Sequence, residues 1–186
     1  MVILYIFLLF FGFIFPIIFS FFAVYSIFVD FKGAPFVGTD KNLVLEILKG
    51  ANLKKGQIFL ELGSGDGRLV LSAVKNYGVN GVGVDLHLPL ITFSRIKSKM
   101  LGLKNIQFRL EDFFKTDISK ADVIFLFLMP KTLVSLKEKL KKESKKGVLI
   151  ISHGFEIKGW ERYLVKTQKR KLFPTYYYSP SLRGTK

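Results

Sequence analysis

The stretch FLELGSGDGRLV, residues 59–70, constrains this chain more than any other part of it. A strand-like apolar run meets three glycines within five residues, and a helix-like run leaves the far side. Glycine at 63, 65 and 67 lets the backbone turn sharply and pass close to a ligand. The helix that follows offers N–H groups with no intrahelical partner. Strand, glycine turn and helix make the first half of a β-α-β unit, so the alternation should continue. It does. Gln57–Leu62 reads as a strand, Arg68–Asn76 as a helix, Gly81–Leu86 as a strand, and Leu90–Leu101 as a helix. Ile106–Leu110 and Ala121–Leu128 are two more strands. Pro130–Ser144 is a helix that proline can start, and Gly147–Ser152 is a fifth strand. The segment YLVKTQKRKLFPTYYYS supplies two further strands. Upstream, Thr39 or Asp40 caps a helix with Leu43, Val44, Ile47 and Leu48 as its apolar stripe, and Lys49 and Gly50 as its stop. The expected class is α/β: a Rossmann-like sheet, built from parallel strands, with helices on both faces.

The residues around the turn narrow the ligand. The dinucleotide fingerprint is G-x-G-x-x-G, whereas here Gly63, Ser64, Gly65, Asp66 and Gly67 give G-x-G-x-G. Glu61 stands two residues before the first glycine. A carboxylate there suits a cationic ligand, such as the ammonium and sulfonium of S-adenosylmethionine, and sits badly beside a pyrophosphate. Asp85 falls twenty residues past Gly65, at the end of the second strand, where an acid can accept hydrogen bonds from ribose hydroxyls. Glu111 and Asp112 follow the third strand, within reach of an adenine amino group, and Phe113 can pack on the ring. Singly, each acid has an ordinary explanation as a strand-end or capping residue. Together, after three successive strands, they point to S-adenosylmethionine. The Tyr-x-x-x-Lys pair of short-chain dehydrogenases is missing, since Tyr163 and Lys166 are one position too close.

The motifs ELGSGDGR, GVGVDL (with Asp85 and Leu86) and LEDFF resemble those of class I S-adenosylmethionine-dependent methyltransferases. The wider run GAPFVGTDKNLVLEIL and GQIFLELGSGDGRLVLSAV resembles the small membrane-anchored protein-lysine methyltransferases that act on the c-type ring protein of ATP synthase and the adenine nucleotide translocase. That resemblance covers roughly residues 33–180. It implies a seven-strand domain, S-adenosylmethionine as cofactor, and Pro35, Phe36 and Thr39 lining the cofactor or target pocket. The chain departs from the pattern at Glu61, where Asp is commoner, at VDLHL, and in a short C-terminal part.

The first 29 residues carry no charge, so all 29 Lys and Arg, all 14 Asp and Glu, and the net +15 fall on the rest. Fully helical, this apolar run reaches about 43 Å, more than one bilayer crossing needs and too little for two. The expectation is one transmembrane anchor over residues 1–29, kinked at Pro16, a linker over 30–38, and the catalytic domain over 39–186. A cleaved signal peptide fits less well, because the basic region that would open it is missing. Lys32, Lys41, Lys49, Lys54 and Lys55 follow the span, so the positive-inside rule puts the domain on the cytosolic, or matrix, side. The basic surplus suits anionic lipid headgroups; nucleic acid and a merely solvated surface are the competing explanations.

With no cysteine and two histidines, metal chemistry is not expected. Methyl transfer to lysine needs an oriented neutral amine more than a dedicated base, so no catalytic residue is assigned. His87 and His153 follow strands on the ligand edge and read as surface or packing histidines before bases. Tyr176, Tyr177 and Tyr178 read as alternating core and surface residues before a target channel. Base-amino methyltransferases carry Asn/Asp-Pro-Pro-Tyr after the fourth strand, where this chain has FLMPKT. An RNA ribose, a lipid or a quinone remains as an alternative acceptor. A non-catalytic binding module is opposed by the intact glycine turn and the strand-end acids. The expected partners are therefore the lipid bilayer and a membrane-protein substrate.

Overall fold

A computed structural model of the chain describes residues 2–32, 40–170 and 172–180. The backbone falls into two compact units, Met1–Pro35 and Phe36–Lys186. The first is helical: α1 (Val2–Leu9), a π-helical turn (Phe10–Ile14) and α2 (Phe15–Lys32). Helix continues to Lys32, three residues past the expected end of the anchor at residue 29. The expected disturbance at Pro16 takes the form of the π turn just before it. Proline has no N–H to return to the carbonyl four residues back. The ladder lengthens one step earlier instead, and the Phe15 N–H bonds the Phe10 carbonyl. Val2–Phe21 is a 20-residue apolar stretch, none of it buried, long enough by length and composition to cross a bilayer.

The second unit holds a seven-stranded sheet in the order β3-β2-β1-β4-β5-β7-β6. The strands are β1 (Ile58–Leu62), β2 (Asn80–Asp85), β3 (Ile106–Leu110), β4 (Val123–Leu126), β5 (Leu149–His153), β6 (Leu164–Gln168) and β7 (Thr175–Tyr178). The first five pair in parallel, while β7 runs antiparallel to both β5 and β6. The sheet is thus mixed: β6 and β7 join by a short connection, and a hairpin can only reverse direction.

Helices α3 (Lys41–Ala51), α4 (Arg68–Tyr77), α5 (Leu88–Met100) and α6 (Pro130–Glu143) complete the unit. Side chains alternate along the strands. Phe59, Val123, Phe125, Ile151 and Tyr177 pack with Val44, Ile47 and Leu48 of α3 and Leu69, Val70, Ala73 and Val74 of α4. Leu60, Leu62, Ile124, Leu126 and Ile150 point the other way and are buried too, as are Leu133, Leu136 and Leu140 of α6 and Trp160.

Asp40 caps α3, its carboxylate accepting from the Asn42 N–H at 2.8 Å and the Leu43 N–H at 3.4 Å. The expected stop at Gly50 is corrected. The helix runs through it to Ala51 and ends on left-handed Asn52, φ 50°. Gly50 is there for space, because a Cβ would collide with the Tyr177 hydroxyl. That hydroxyl donates to the Ile47 carbonyl at 3.0 Å. The last strand is thereby tied to the first helix of the unit.

Candidate ligand site at the carboxyl edge of the sheet

The glycine turn sits where β1 hands over to α4. Gly63, Gly65 and Gly67 have φ of +80°, +51° and +70°, a left-handed backbone costing a side-chain-bearing residue roughly 1–2 kcal/mol each. Gly63 and Ser64 both donate to the Val84 carbonyl at 2.9 Å, and Gly67 donates to the Ser64 carbonyl at 2.9 Å. The turn therefore folds back over the end of β2. A Cβ on Gly67 would lie 2.5 Å from the Phe108 ring, and one on Gly83 would lie 2.7 Å from it. Phe108 of β3 fills the space those glycines leave, so the turn is wedged from below.

Four acidic positions gather at this edge. Asp85 closes β2 and works through both oxygens: Oδ2 accepts the Gly65 N–H and Oδ1 the His87 N–H, each at 2.8 Å. It fixes the turn and the entry to α5 together. Asp66 is held by Arg68, Nη2 to Oδ2 at 2.7 Å and Nε to Oδ1 at 2.9 Å. Burial works against its charge, but the guanidinium outweighs it and keeps the carboxyl below its usual range. Glu111 and Asp112 follow β3, half-buried. The Glu111 N–H bonds the Asp85 carbonyl at 3.1 Å, and Asp112 Oδ1 accepts the Phe114 N–H at 2.9 Å.

Glu61 is different in kind. It lies in β1 on the α4 side and is 7% exposed. Its Oε2 has no hydrogen-bond partner, and neither has the buried Ser64 Oγ. Burial raises the Glu61 pKa well above the ordinary carboxylate value, and Asp66 adds to it. A Val70 backbone hydrogen bond opposes the rise, Asp85 reinforces it and Arg68 opposes it. A buried carboxylate with one oxygen unpartnered is costly unless a cation comes to it. Oriented backbone, an unanswered acid and an unanswered hydroxyl side by side fit a ligand that brings positive charge, as S-adenosylmethionine does. The residues that would hold it are Glu61 for the cationic amino-acid end, the 63–67 turn for close approach, and Asp85 with Glu111 and Asp112 for the nucleoside.

Other expected positions fall as follows. Phe113 is buried at 4% exposure, while Phe114, its ring 4.9 Å away, is 39% exposed. Leu86 continues from Asp85 as a half-buried residue. Pro35, Phe36 and Thr39 lie outside the described residues. His153 is a packing histidine: 1% exposed, Nδ1 2.9 Å from Thr175 Oγ1, its ring 4.7 Å from that of Phe127. Burial, then the charge of Arg170, lower its pKa to about 4. Tyr177 and Tyr178 are buried, and Tyr178 Oη accepts the Ile157 N–H at 3.0 Å. Among the described residues no cluster of His, Asp and Glu could hold a metal ion.

Sequence reasoning missed Ser94 and Phe108. Ser94 Oγ lies 3.3 Å from the Gly65 carbonyl and 2.9 Å from that of Leu90, bracing the turn from α5. A serine among charged residues reads as surface, so no signal marked it. For Phe108 the signal was present in Gly83 of GVGVDL, whose missing side chain leaves room for a large neighbour.

The comparisons with known proteins agree with this geometry. The family model described as the ANTKMT methyltransferase domain matches residues 61–163. A protein-lysine N-methyltransferase of Saccharolobus islandicus is 33% identical over 146 residues, covering 77% of this chain and 91% of that protein. The mouse adenine nucleotide translocase lysine N-methyltransferase is 27% identical over 68% of this chain, but only 56% of its own length is spanned. Among solved structures, an RNA methyltransferase from Salinibacter ruber in complex with S-adenosyl-L-homocysteine superimposes with a TM-score of 0.73 at 31% identity. That match covers 76% of this chain and 92% of that one. With the glycine turn, the strand-end acids and the seven-stranded order in place, this chain belongs to the ANTKMT methyltransferase domain family and is an S-adenosylmethionine-dependent methyltransferase.

Proposed function

We propose that this chain transfers a methyl group from S-adenosylmethionine to a lysine of a membrane protein, from a membrane-anchored position. The observation that carries the reading is the similarity to a protein-lysine N-methyltransferase over nine-tenths of that relative's length. The acceptor class draws on the mouse relative, named for the adenine nucleotide translocase. The anchor draws on the unburied apolar helix Val2–Phe21. In this reading residues 1–29 span the bilayer, 30–38 link, and 39–186 form the methyltransferase domain on the cytosolic or matrix side. Pro35, Phe36 and Thr39 contribute to the pocket. Confinement to the bilayer raises the effective concentration of membrane substrates.

When bound, S-adenosylmethionine supplies an electrophilic methyl on a sulfonium. The chain's own part is placement. Glu61, buried with one oxygen unpartnered, is placed to meet the cationic end of the cofactor. Asp85, fixed by two backbone N–H groups, is pre-oriented for ribose hydroxyls and needs no rearrangement to receive them. The acceptor lysine must arrive neutral, and the approach of the sulfonium's positive charge favours loss of its proton. His153 is buried and already engaged with Thr175, so it positions β5 and β7 and handles no proton at this edge.

The decisive assay uses full-length protein in nanodiscs, tritiated S-adenosylmethionine and host membranes, with Asp85→Ala as control. Label in a membrane protein, recovered as methyl-lysine and lost with Asp85→Ala, is expected. A second reading, RNA methylation, is favoured by the Salinibacter structure and by the +15 charge. Label confined to the RNA fraction would replace the first reading with it.

A further inference from the structure

Helix α5 is built inside out. Its buried residues are Ile91, Ser94 and Ser98, while Phe93, Ile96 and Met100 are 51%, 53% and 81% exposed. At about 100° per residue these three fall within roughly 60° of one another, opposite the buried face. Surface helices ordinarily show the reverse arrangement. Beside Ile91 the inward face buries two serines, and their hydroxyls are answered. Ser94 Oγ meets the Leu90 and Gly65 carbonyls, and Ser98 Oγ donates to the Arg95 carbonyl at 2.8 Å. Phe93, Ile96 and Met100 are left for something outside.

Charge indicates what that is. Helix α5 carries Arg95, Lys97 and Lys99 and no acid. Lys97 and Lys99 flank the apolar stripe on opposite sides, and the Lys97 ammonium lies 5.5 Å from the Phe93 ring centroid. Arg95 is turned back to the sheet, its Nε donating to the Phe108 carbonyl at 2.9 Å. An apolar stripe between lysines suits the boundary of an anionic lipid surface: rings and aliphatic groups enter the acyl region while ammonium groups snorkel to phosphates. The same chain holds an apolar helix long enough to cross a bilayer. We propose that the outward face of α5 docks on anionic lipid, with Phe93, Ile96 and Met100 in the interface and Lys97 and Lys99 at headgroup phosphates. Because Asp85 accepts the His87 N–H at the start of α5 and Ser94 braces the glycine turn, docking ties a helix that supports the ligand site to the lipid surface. The proposal is independent of which group accepts the methyl.

The chain lacks cysteine, so single cysteines can be labelled cleanly. Full-length Ile96→Cys, Glu138→Cys at an exposed position of α6 and Phe7→Cys in α1 would each carry an environment-sensitive fluorophore. They would be reconstituted at low protein-to-lipid ratio in phosphatidylcholine vesicles with or without phosphatidylglycerol, with a quencher attached near the headgroup. The Ile96 label is expected to shift to the blue and lose most of its emission to the shallow quencher in anionic vesicles. Both effects should weaken at about 1 M salt, where charges are screened beyond about 3 Å. The Glu138 label should stay water-exposed. Lys97→Glu with Lys99→Glu should cut the quenching severalfold and leave S-adenosylmethionine binding intact. Quenching at Phe7 without quenching at Ile96 would overturn the proposal, leaving a tethered domain that does not touch lipid. An Ile96 label shielded from water but not quenched would also overturn it, in favour of a protein partner.

Discussion

Glu61 and His153 are both buried, and their titrations pull stability in opposite directions. For Glu61 the folded pKa is raised above its ordinary value of 4.5, so between the two values the native state binds more protons than the unfolded one. Its contribution is therefore lost as pH rises from about 4.5. Glu61→Gln removes that liability. In the ligand-free protein its melting temperature should exceed the wild type's by a margin that widens as pH rises above about 4.5 and closes in acid, read by calorimetry. The same variant should bind S-adenosylmethionine about 10- to 100-fold more weakly, read by isothermal titration, since a charge-assisted bond is worth about 1.5–3 kcal/mol. His153 has the opposite sign. Its pKa falls from 6.5 to about 4, so its contribution is full above pH 6.5 and is lost as pH drops towards 4. The loss is on the order of a few kcal/mol. His153→Phe should flatten the melting-temperature slope in that window, whatever it does to the absolute value.

At the scale of elements, the glycine turn behaves as a wedge assembly of three parts: turn, Phe108 and α5. Gly67→Ala combines a left-handed backbone with a collision against Phe108. It should cost about 2–5 kcal/mol, measurable by urea unfolding. This region was legible because apolar runs, glycines and strand-end acids each have a local meaning. Expected strand and helix limits differ from the observed ones by a residue or two where ladders fray. What was not legible depends on distant partners. Gly50 looked like a stop because Tyr177, which fills its missing side chain, lies far along the sequence. That Phe113 is buried while its neighbour Phe114 is exposed is also set by the fold and not by the local sequence. The burial of Glu61 and its unpartnered Oε2 need the sheet and α4 around them to be seen. The reversed face of α5 escaped notice because its serines, lysines and apolar residues look unremarkable until burial tells inside from outside.

At the scale of the whole molecule, the two units call for different solvents, one apolar and unburied, the other a sheet with its own core. Deleting Val2–Phe21 should leave S-adenosylmethionine affinity unchanged by calorimetric titration. In the same preparation, methylation of reconstituted membrane acceptors should fall on the order of 10²-fold. Synthesis order adds a constraint of another sort. Helix α3 gains α4 as a neighbour early, but its clamp, the Tyr177 hydroxyl on the Ile47 carbonyl, spans 130 residues. At roughly 5–20 residues per second a ribosome takes about 6–26 s to cover that distance. During that interval the nascent chain already possesses its whole ligand-binding turn and is still missing the strand that locks α3. A ribosome that stalls before residue 177 would release a chain whose glycine turn is complete and whose first domain helix is loose, a natural target for proteases and chaperones.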